Sequence, residues 1–370
     1  MIKEMKSFFL PLVSFVLAII SLITLKSIAP DLVAKQALFF ALGAGVFFAM
    51  SQFRLERWAQ LSPIIYSVLS IVLLTLLVVG RTTRGIRGWI PLFGGFKLQP
   101  SQFGLLAVLP LVGLVSPRLK FSSWSGIFKF LGLVLLPAVL IVLEPDVGTG
   151  FVYLVAAGSL LFFLPISWKK IALLSGGAVL AGLIIWLVGL KPYQKQRITS
   201  FFNQQDQVFV RISQLDSTSY NSRQALIAVG SGKTYGRGLG FGVQSHLKFL
   251  PERQTDFIFA SFAEEWGFVG SSLLILLYAS LTVFIFSVAS NSKANSNSQA
   301  ASFYCLGIGL MFLVQTMINI GMNLGIVPIT GITLPLLSYG GSSIIAVMAS
   351  LGLVQSVVNN QQPTENLRVE

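Results

Sequence analysis

The sequence predicts an all-α, polytopic integral membrane protein of about ten transmembrane helices with one large extramembrane loop. Three observations carry that prediction. Hydrophobic residues make up 54% of the 370-residue chain and charged residues only 11%, where a soluble domain carries roughly 25% charge. Mean hydropathy is +0.79. The charges are also unevenly placed: residues 7–25, 36–53, 58–80, 98–117, 147–168, 171–190, 266–292 and 294–364 contain no Asp, Glu, Lys or Arg. About 20 apolar residues cross a bilayer as a helix. Barrel strands would be shorter and would alternate, and these runs do not.

In chain order the expected helices are 8–25, 34–50, 61–80, 103–116, 127–143, 147–164, 171–190, 268–289, 300–320 and 333–357. The fifth needs Lys129 to snorkel to the interface. Lys3 and Lys6 ahead of the first run imitate a secretory leader. No small-residue cleavage site with a soluble domain behind it follows, so the first helix is read as uncleaved. Pro100-Ser101 fits the start of the fourth helix, with Pro in the first turn and Ser as cap. Pro328, Gly331 and Pro335 forbid regular helix up to about 335. Irregular backbone at membrane depth is tolerated only inside protein or along a wet cavity. That segment is therefore expected to wall a cavity opening to the outer face. Gly307 and Gly309 offer a surface that a neighbouring protein's helix can approach closely.

Short loops set the orientation. With the N-terminus inside, the cytoplasmic turns hold Arg54/Arg57, Arg118/Lys120 and Lys169/Lys170, as the positive-inside rule requires. The tail 358–370 is then cytoplasmic too. The opposite face receives 81–102, read as an outer-face hairpin, and 191–266, the large extracytoplasmic loop. The whole chain, 1–370, is a single membrane domain. Both outer loops are basic, with Arg84, Arg87 and Lys97 in the first and Lys191, Lys195 and Arg197 in the second. A formal net charge of +13 with cationic outer loops suits anionic lipid or a lipid-linked phosphate substrate, and nucleic acid is not expected as a partner.

Few carboxylates lie near the membrane. Asp256 sits at the water–hydrocarbon boundary, where a charge is costly unless paired, hydrated or used. Glu144 and Asp146 share a tight turn with Pro145. Asp146 is placed to cap the following helix and meet its positive end, whereas Glu144 needs a cation or water. The pair fits either a divalent cation or a cap beside a hydrated carboxylate. The lone Cys305 and lone His246 leave no disulfide, thiolate metal site or histidine cluster, and no metal ligand is assigned. Tyr220–Ala228 is rich enough in Gln, Ala, Leu and Ile for a short helix. Gly230-Ser231-Gly232-Lys233-Thr234 imitates a nucleotide loop, but Ile227 occupies the place of the first glycine and no αβα scaffold surrounds it. This glycine-rich stretch is instead expected to lie against lipid substrate or pack at the membrane surface.

These pieces occur in an order that resembles a known family. Leu98–Ser101, Pro145–Thr149, Lys191–Ile198, Leu250–Ala260, Glu264–Gly270 and Leu334–Ser343 together resemble the shape, elongation, division and sporulation (SEDS) proteins of the RodA/FtsW type. Asn319–Gly325 is closer to the elongation (RodA) branch than to the division (FtsW) branch. The resemblance implies a ten-helix peptidoglycan glycosyltransferase that polymerises lipid II outside the bacterial cytoplasmic membrane during elongation. It implies a class B penicillin-binding protein as partner, among other elongation-complex membrane proteins. Asp256 matches the family's essential aspartate and would be the general base for the acceptor hydroxyl. Arg84, Arg87, Lys97, Lys191, Lys195, Arg197, Glu144, Asp146, Ser338 and Ser342 would bind substrate, with a divalent cation near the diphosphate as an option. The chain departs from the family pattern at Gly88, Gln102, Leu105, Glu144 and Gln254. A lipid-linked precursor flippase and a catalytically impaired scaffold are the competing readings.

Overall fold

The computed structural model describes residues 2–83, 86–92, 96–184, 187, 195, 199, 217–293 and 299–360. Helices dominate: α1 (Ile2–Ile28), α2 (Val33–Gln52), α3 (Leu55–Val79), α4 (Gly104–Val115), α5 (Trp124–Leu143), α6 (Val147–Gly158) and α7 (Trp168–Ile184) form the first group. After the large loop come α8 (Ser217–Ser231), α9 (Val243–His246), α10 (Ile258–Lys293), α11 (Gln299–Asn323) and α12 (Gly341–Asn360). Among the described residues, eight helices are long and apolar enough to cross a membrane, and Val147–Phe163 adds a shorter apolar one. The expected 171–190 span runs partly outside the described residues.

Two helix starts, the outer hairpin and one cap differ from the sequence expectation for local reasons. The last helix starts at Gly341, not near 333, because 324–340 is tied to α10 and α11 by the side-chain bonds described below. Helix α10 starts ten residues earlier than expected but breaks at Gly267 (φ 67, ψ −164). Its part before the break, Ile258–Trp266, is buried under the large loop apart from Trp266. The outer hairpin is a three-stranded antiparallel meander, β1 (Arg81–Thr83), β2 (Ile86–Pro91) and β3 (Lys97–Leu98). Thr82, Thr83, Ile86, Trp89 and Ile90 are the β-branched and aromatic residues that favour such pairing. Ser101 lies in a 3-10 turn, Pro100–Phe103, and does not cap α4.

Helix packing rests on small residues. A Cβ on Gly352 of α12 would sit 2.5 Å from the Phe47 carbonyl of α2, and one on Gly113 of α4 would sit 2.4 Å from Ala300 Cα. Only glycine permits such approach. Gly307 and Gly309 are used in the same way inside the chain: their Cβ positions fall 2.5 Å from Leu109 and 2.6 Å from Phe286. They are thus unavailable as a surface for another protein's helix, which corrects the sequence expectation. Burial identifies the centre, because 83% of the α12 span and 72% of the α4 span are buried against 22% for α2. Cys305 is buried in α11.

Candidate active site

Asp256 lies near the end of the turn 250–257, just before α10, and is partly exposed. Its position is fixed through its backbone. The amides of Asn319 and Asn323, one turn apart on α11, each donate to the Asp256 carbonyl at 3.0 Å. Asn319 also donates to Ile332 O at 2.7 Å, and Asn323 Oδ1 accepts from Ala260 N–H at 3.0 Å. Two adjacent amides therefore tie α10, the irregular 324–340 segment and α11 to one carbonyl. Gly331 (φ +74) passes beside the carboxyl, and a Cβ there would lie 3.5 Å from Asp256 Oδ2. Arg253, three residues before, grips the end of α1 with Nε and Nη2 donating to Ile28 O at 3.1 and 3.0 Å. The base candidate sits on a turn braced from several helices, which is what a positioned proton acceptor needs.

The two serines serve the same bracing. Ser338 Oγ donates to Thr255 O at 2.7 Å and accepts Leu334 N–H at 2.8 Å. Ser342 Oγ donates to Lys97 O at 3.0 Å and accepts Gln99 N–H at 2.9 Å. Both hydroxyls are committed to backbone: Ser338 ties the 334–338 segment to the turn before α10, and Ser342 holds the hairpin to α12.

On the other side of the 330–332 segment lies the α5–α6 turn: a Cβ on Gly148 would meet Ile332 Cγ1 at 2.9 Å and Thr330 O at 3.1 Å. Asp146 caps α6 by accepting Thr149 N–H at 3.1 Å and takes Gln99 Nε2 at 2.7 Å. Burial raises its pKa, and the bonds from Thr149 and Gln99 lower it again. Glu144 is fully buried, and neither carboxyl oxygen has a partner among the described residues. Burial, then the neighbouring Asp146, push its pKa up to about 8. Glu144 is thus neutral over much of the neutral range, where the sequence reading gave it a cation or water. Its backbone carbonyl accepts Arg87 N–H at 3.2 Å, which anchors the hairpin. Among the described residues no three His, Cys, Asp or Glu side chains converge as a metal site would require.

Of the cations expected at the site, Arg87 and Lys97 are exposed on the hairpin, and Lys195 donates to Leu187 O at 2.9 Å. Arg84, Lys191 and Arg197 lie outside the described residues. A small cavity of about 20 Å³ between α4, α6, α11 and α12 is lined by Ser101, Gln102, Leu105, Thr149, Tyr153 and Gln315 among others. That exceeds the ~10–15 Å³ one water needs, and Ser101 Oγ and Tyr153 Oη there have no protein partner among the described residues.

Sequence reasoning missed Glu264 and Glu265 as structural groups. Glu264 accepts Gln244 N–H, Ser245 N–H and Ser245 Oγ at 2.8, 3.0 and 2.6 Å, capping α9. Glu265 accepts Gly240 N–H at 3.1 Å and the Ser27 hydroxyl from α1. The signal was two adjacent acids in an apolar run with a glycine-rich loop upstream. That loop packs tightly: a Cβ on Gly232 would lie 2.0 Å from Ala263 O, and one on Gly236 2.0 Å from Glu265 O.

A bundle of apolar helices whose irregular connecting segments converge on one carboxylate defines a membrane-embedded protein with a polar site at one end of the bundle. The chain belongs to the FtsW/RodA/SpoVE family of cell cycle proteins, whose model matches residues 4–363. It is 32% identical over 326 residues to the peptidoglycan glycosyltransferase MrdB of Escherichia coli K12, covering 86% of this chain and 83% of that one. A chain solved in work on the structural coordination of polymerization and crosslinking by a peptidoglycan synthase complex matches with a TM-score of 0.78 at 28% identity. That match covers 96% of this chain and 98% of the other. The rod shape determining protein RodA of Thermus thermophilus matches with a TM-score of 0.68 at 28% identity, over 96% and 97% of the two chains.

Proposed function

We propose that this protein is a peptidoglycan glycosyltransferase of the bacterial cytoplasmic membrane that polymerises lipid II into glycan strands during cell elongation. Family membership across residues 4–363 is the observation that carries the reading, and similarity to MrdB and to a chain of a peptidoglycan synthase complex supports it. In this reading Asp256 is the general base that takes the proton from the acceptor hydroxyl as the diphosphate departs. Arg84, Arg87, Lys97, Lys191, Lys195 and Arg197 are the cations for the diphosphate, arginine contacting it bidentately and lysine as a point charge. Glu144, Asp146, Ser338 and Ser342 shape the pocket from behind. Ten spans, cytoplasmic termini, an outer-face site and an extracytoplasmic 191–266 belong to the same proposal, supported by the charge pattern of the short loops. A class B penicillin-binding protein is the proposed partner for crosslinking, within a larger elongation complex.

The test is polymerisation of purified lipid II in detergent, read as glycan ladder on a gel, with and without that partner. Wild type is expected to make polymer and Asp256→Ala none. Polymer at the wild-type rate from Asp256→Ala removes the general-base assignment. Lipid II movement without polymer from wild type favours the flippase reading.

A further inference from the structure

The segment from Gly232 to Phe249 contains Lys233, Arg237 and Lys248 and not one Asp or Glu. The two acids it rests on, Glu264 and Glu265, are turned inward and buried. Its outer side is a mixture of aromatic and basic groups: Tyr235 is 83% exposed and Phe241 74%, and all three cations are exposed. Arg237 spends one N–H, from Nε, on Ser231 O at 3.3 Å. Such a mixture is the composition of a membrane interface.

The backbone fixes where this surface stands. Just past the Gly267 break, Phe268 N–H donates to Lys233 O at 2.8 Å and Val269 N–H to Thr234 O at 3.0 Å. These carbonyls satisfy two of the orphan donors at the start of the membrane-crossing part of α10. Phe268 is 71% exposed on that apolar helix, so its side chain faces lipid. Tyr235 follows directly on the residues that cap it. Phe241 neighbours Gly240, whose N–H donates to Ser27 Oγ at the end of α1, at 2.9 Å. The loop is therefore bonded to the ends of two spans, with the acids beneath it hidden and its own cations outward.

We propose that 232–249 is a docking surface for the bilayer itself, with Tyr235 and Phe241 seated among headgroups and Lys233, Arg237 and Lys248 on the phosphates of anionic phospholipid. The lipid face of α10 continues into this surface, and the one-sided charge selects an anionic occupant over a neutral one. A basic residue near an anionic surface is worth about 1 kcal/mol, so each cation contributes about fivefold to lipid retention. The proposal does not depend on the glycosyltransferase reading; only the identity of the leaflet rests on the orientation proposed above.

The experiment uses the full chain in nanodiscs of phosphatidylcholine with or without phosphatidylglycerol. Single cysteines replacing Tyr235 or Phe241, in a Cys305→Ala background, carry nitroxide labels whose collisions with oxygen and with a nickel chelate report depth. Both labels are expected at headgroup depth. In parallel, K233Q/R237Q/K248Q is expected to lose about 10²-fold in phosphatidylglycerol retained through detergent exchange, read by native mass spectrometry. Labels freely accessible to nickel, or unchanged retention in the triple variant, overturn the proposal. So does burial of both labels only when a membrane partner protein is added, which would make this a protein interface.

Discussion

The membrane bundle and the outer layer of this protein are held together by different physics. In the bundle, neighbours meet by shape: Gly352 lies against Phe47, Gly113 against Ala300, and Gly309 against Phe286. In the outer layer, segments meet by directional bonds from side chain to backbone. Asn319, Asn323, Ser338, Ser342 and Arg253 each hold a carbonyl of another segment. Apolar side chains gain nothing over lipid tails by meeting each other, so close fit, with a few bonds between helices such as Tyr66 Oη to Leu133 O and Tyr304 Oη to Ser350 O, distinguishes partners in the bundle. A turn has no repeating backbone ladder, so its carbonyls need individual donors. The first kind of contact sets which helices adjoin; the second fixes the backbone that carries one carboxylate.

The contrast breaks most sharply at Asp256. Asp256→Asn keeps the volume and removes the base, so lipid II polymerisation is expected to fall at least about 10²-fold while the melting temperature in detergent stays within a degree or two. An equal fall in stability would mean that Asp256 is a structural residue of the outer layer and not its product.

Next in size is Asn323→Leu, which removes a donor to Asp256 O and the acceptor of Ala260 N–H. Each buried group left unpaired costs about 1–3 kcal/mol. A displaced carboxylate near 1 Å from its place costs up to about 10²-fold in rate. The expected outcome is both, a lower melting temperature and a lower kcat with KM little changed. Wild-type kcat in the folded fraction would show that Asn319 alone holds the turn.

The same division explains what the sequence revealed. Charge-free runs located the spans because lipid exposure forbids charge over whole helices, and a long run survives local noise. The starts of α10 and α12 differ from the sequence expectation because hydropathy does not see hydrogen bonds: Ile258–Phe259 reads as apolar whether it lies beside a site or crosses a membrane. Asp256 stood out as an isolated carboxylate. The side chains that place it did not, since Asn319 and Asn323 resemble any polar residues in a span until their common carbonyl is known. Ser338 and Ser342 are expected from the resemblance to bind substrate, and in the structure their hydroxyls bond to backbone.

Glu144 sharpens the comparison, because it lies at the seam of the two regions. It belongs to a turn, yet its carboxyl is buried as in the bundle, with a pKa near 8. A folded pKa above the ordinary value means the folded state holds the proton more tightly. The stability that Glu144 contributes is therefore fully present below about pH 4.5 and is lost as pH rises toward about 8. Glu144→Gln is expected to remove this slope, melting a few degrees higher than wild type at pH 8 and alike at pH 4.5. A pH-independent difference between the two proteins would mean that the carboxyl is paired when folded.

The smallest expected effect concerns Gln102 and Leu105, one turn apart and lining the same small cavity. Gln102 Nε2 makes only long contacts, 3.5 Å to Gln99 Oε1 and 3.4 Å to Thr149 Oγ1, and Gln99 in turn binds Asp146. Gln102→Glu would bring a carboxylate toward that acid with no cation to meet it, and Leu105→Lys would bury an ammonium among Val152, Met311 and Val347. Each single change is expected to destabilise, by about 1–3 kcal/mol once water and side-chain adjustment are allowed for. Together they form an i, i+3 pair of opposite charge. The double variant should then recover part of the loss, with a coupling of order 1 kcal/mol in a double-mutant cycle. Glu144 introduces an asymmetry: if the new ammonium reaches its carboxyl, Leu105→Lys alone is tolerated at pH 8 and harmful at pH 5, where Glu144 is protonated. Strict additivity at both pH values, in melting temperature and in polymerase rate, would show that the two positions do not interact across the cavity.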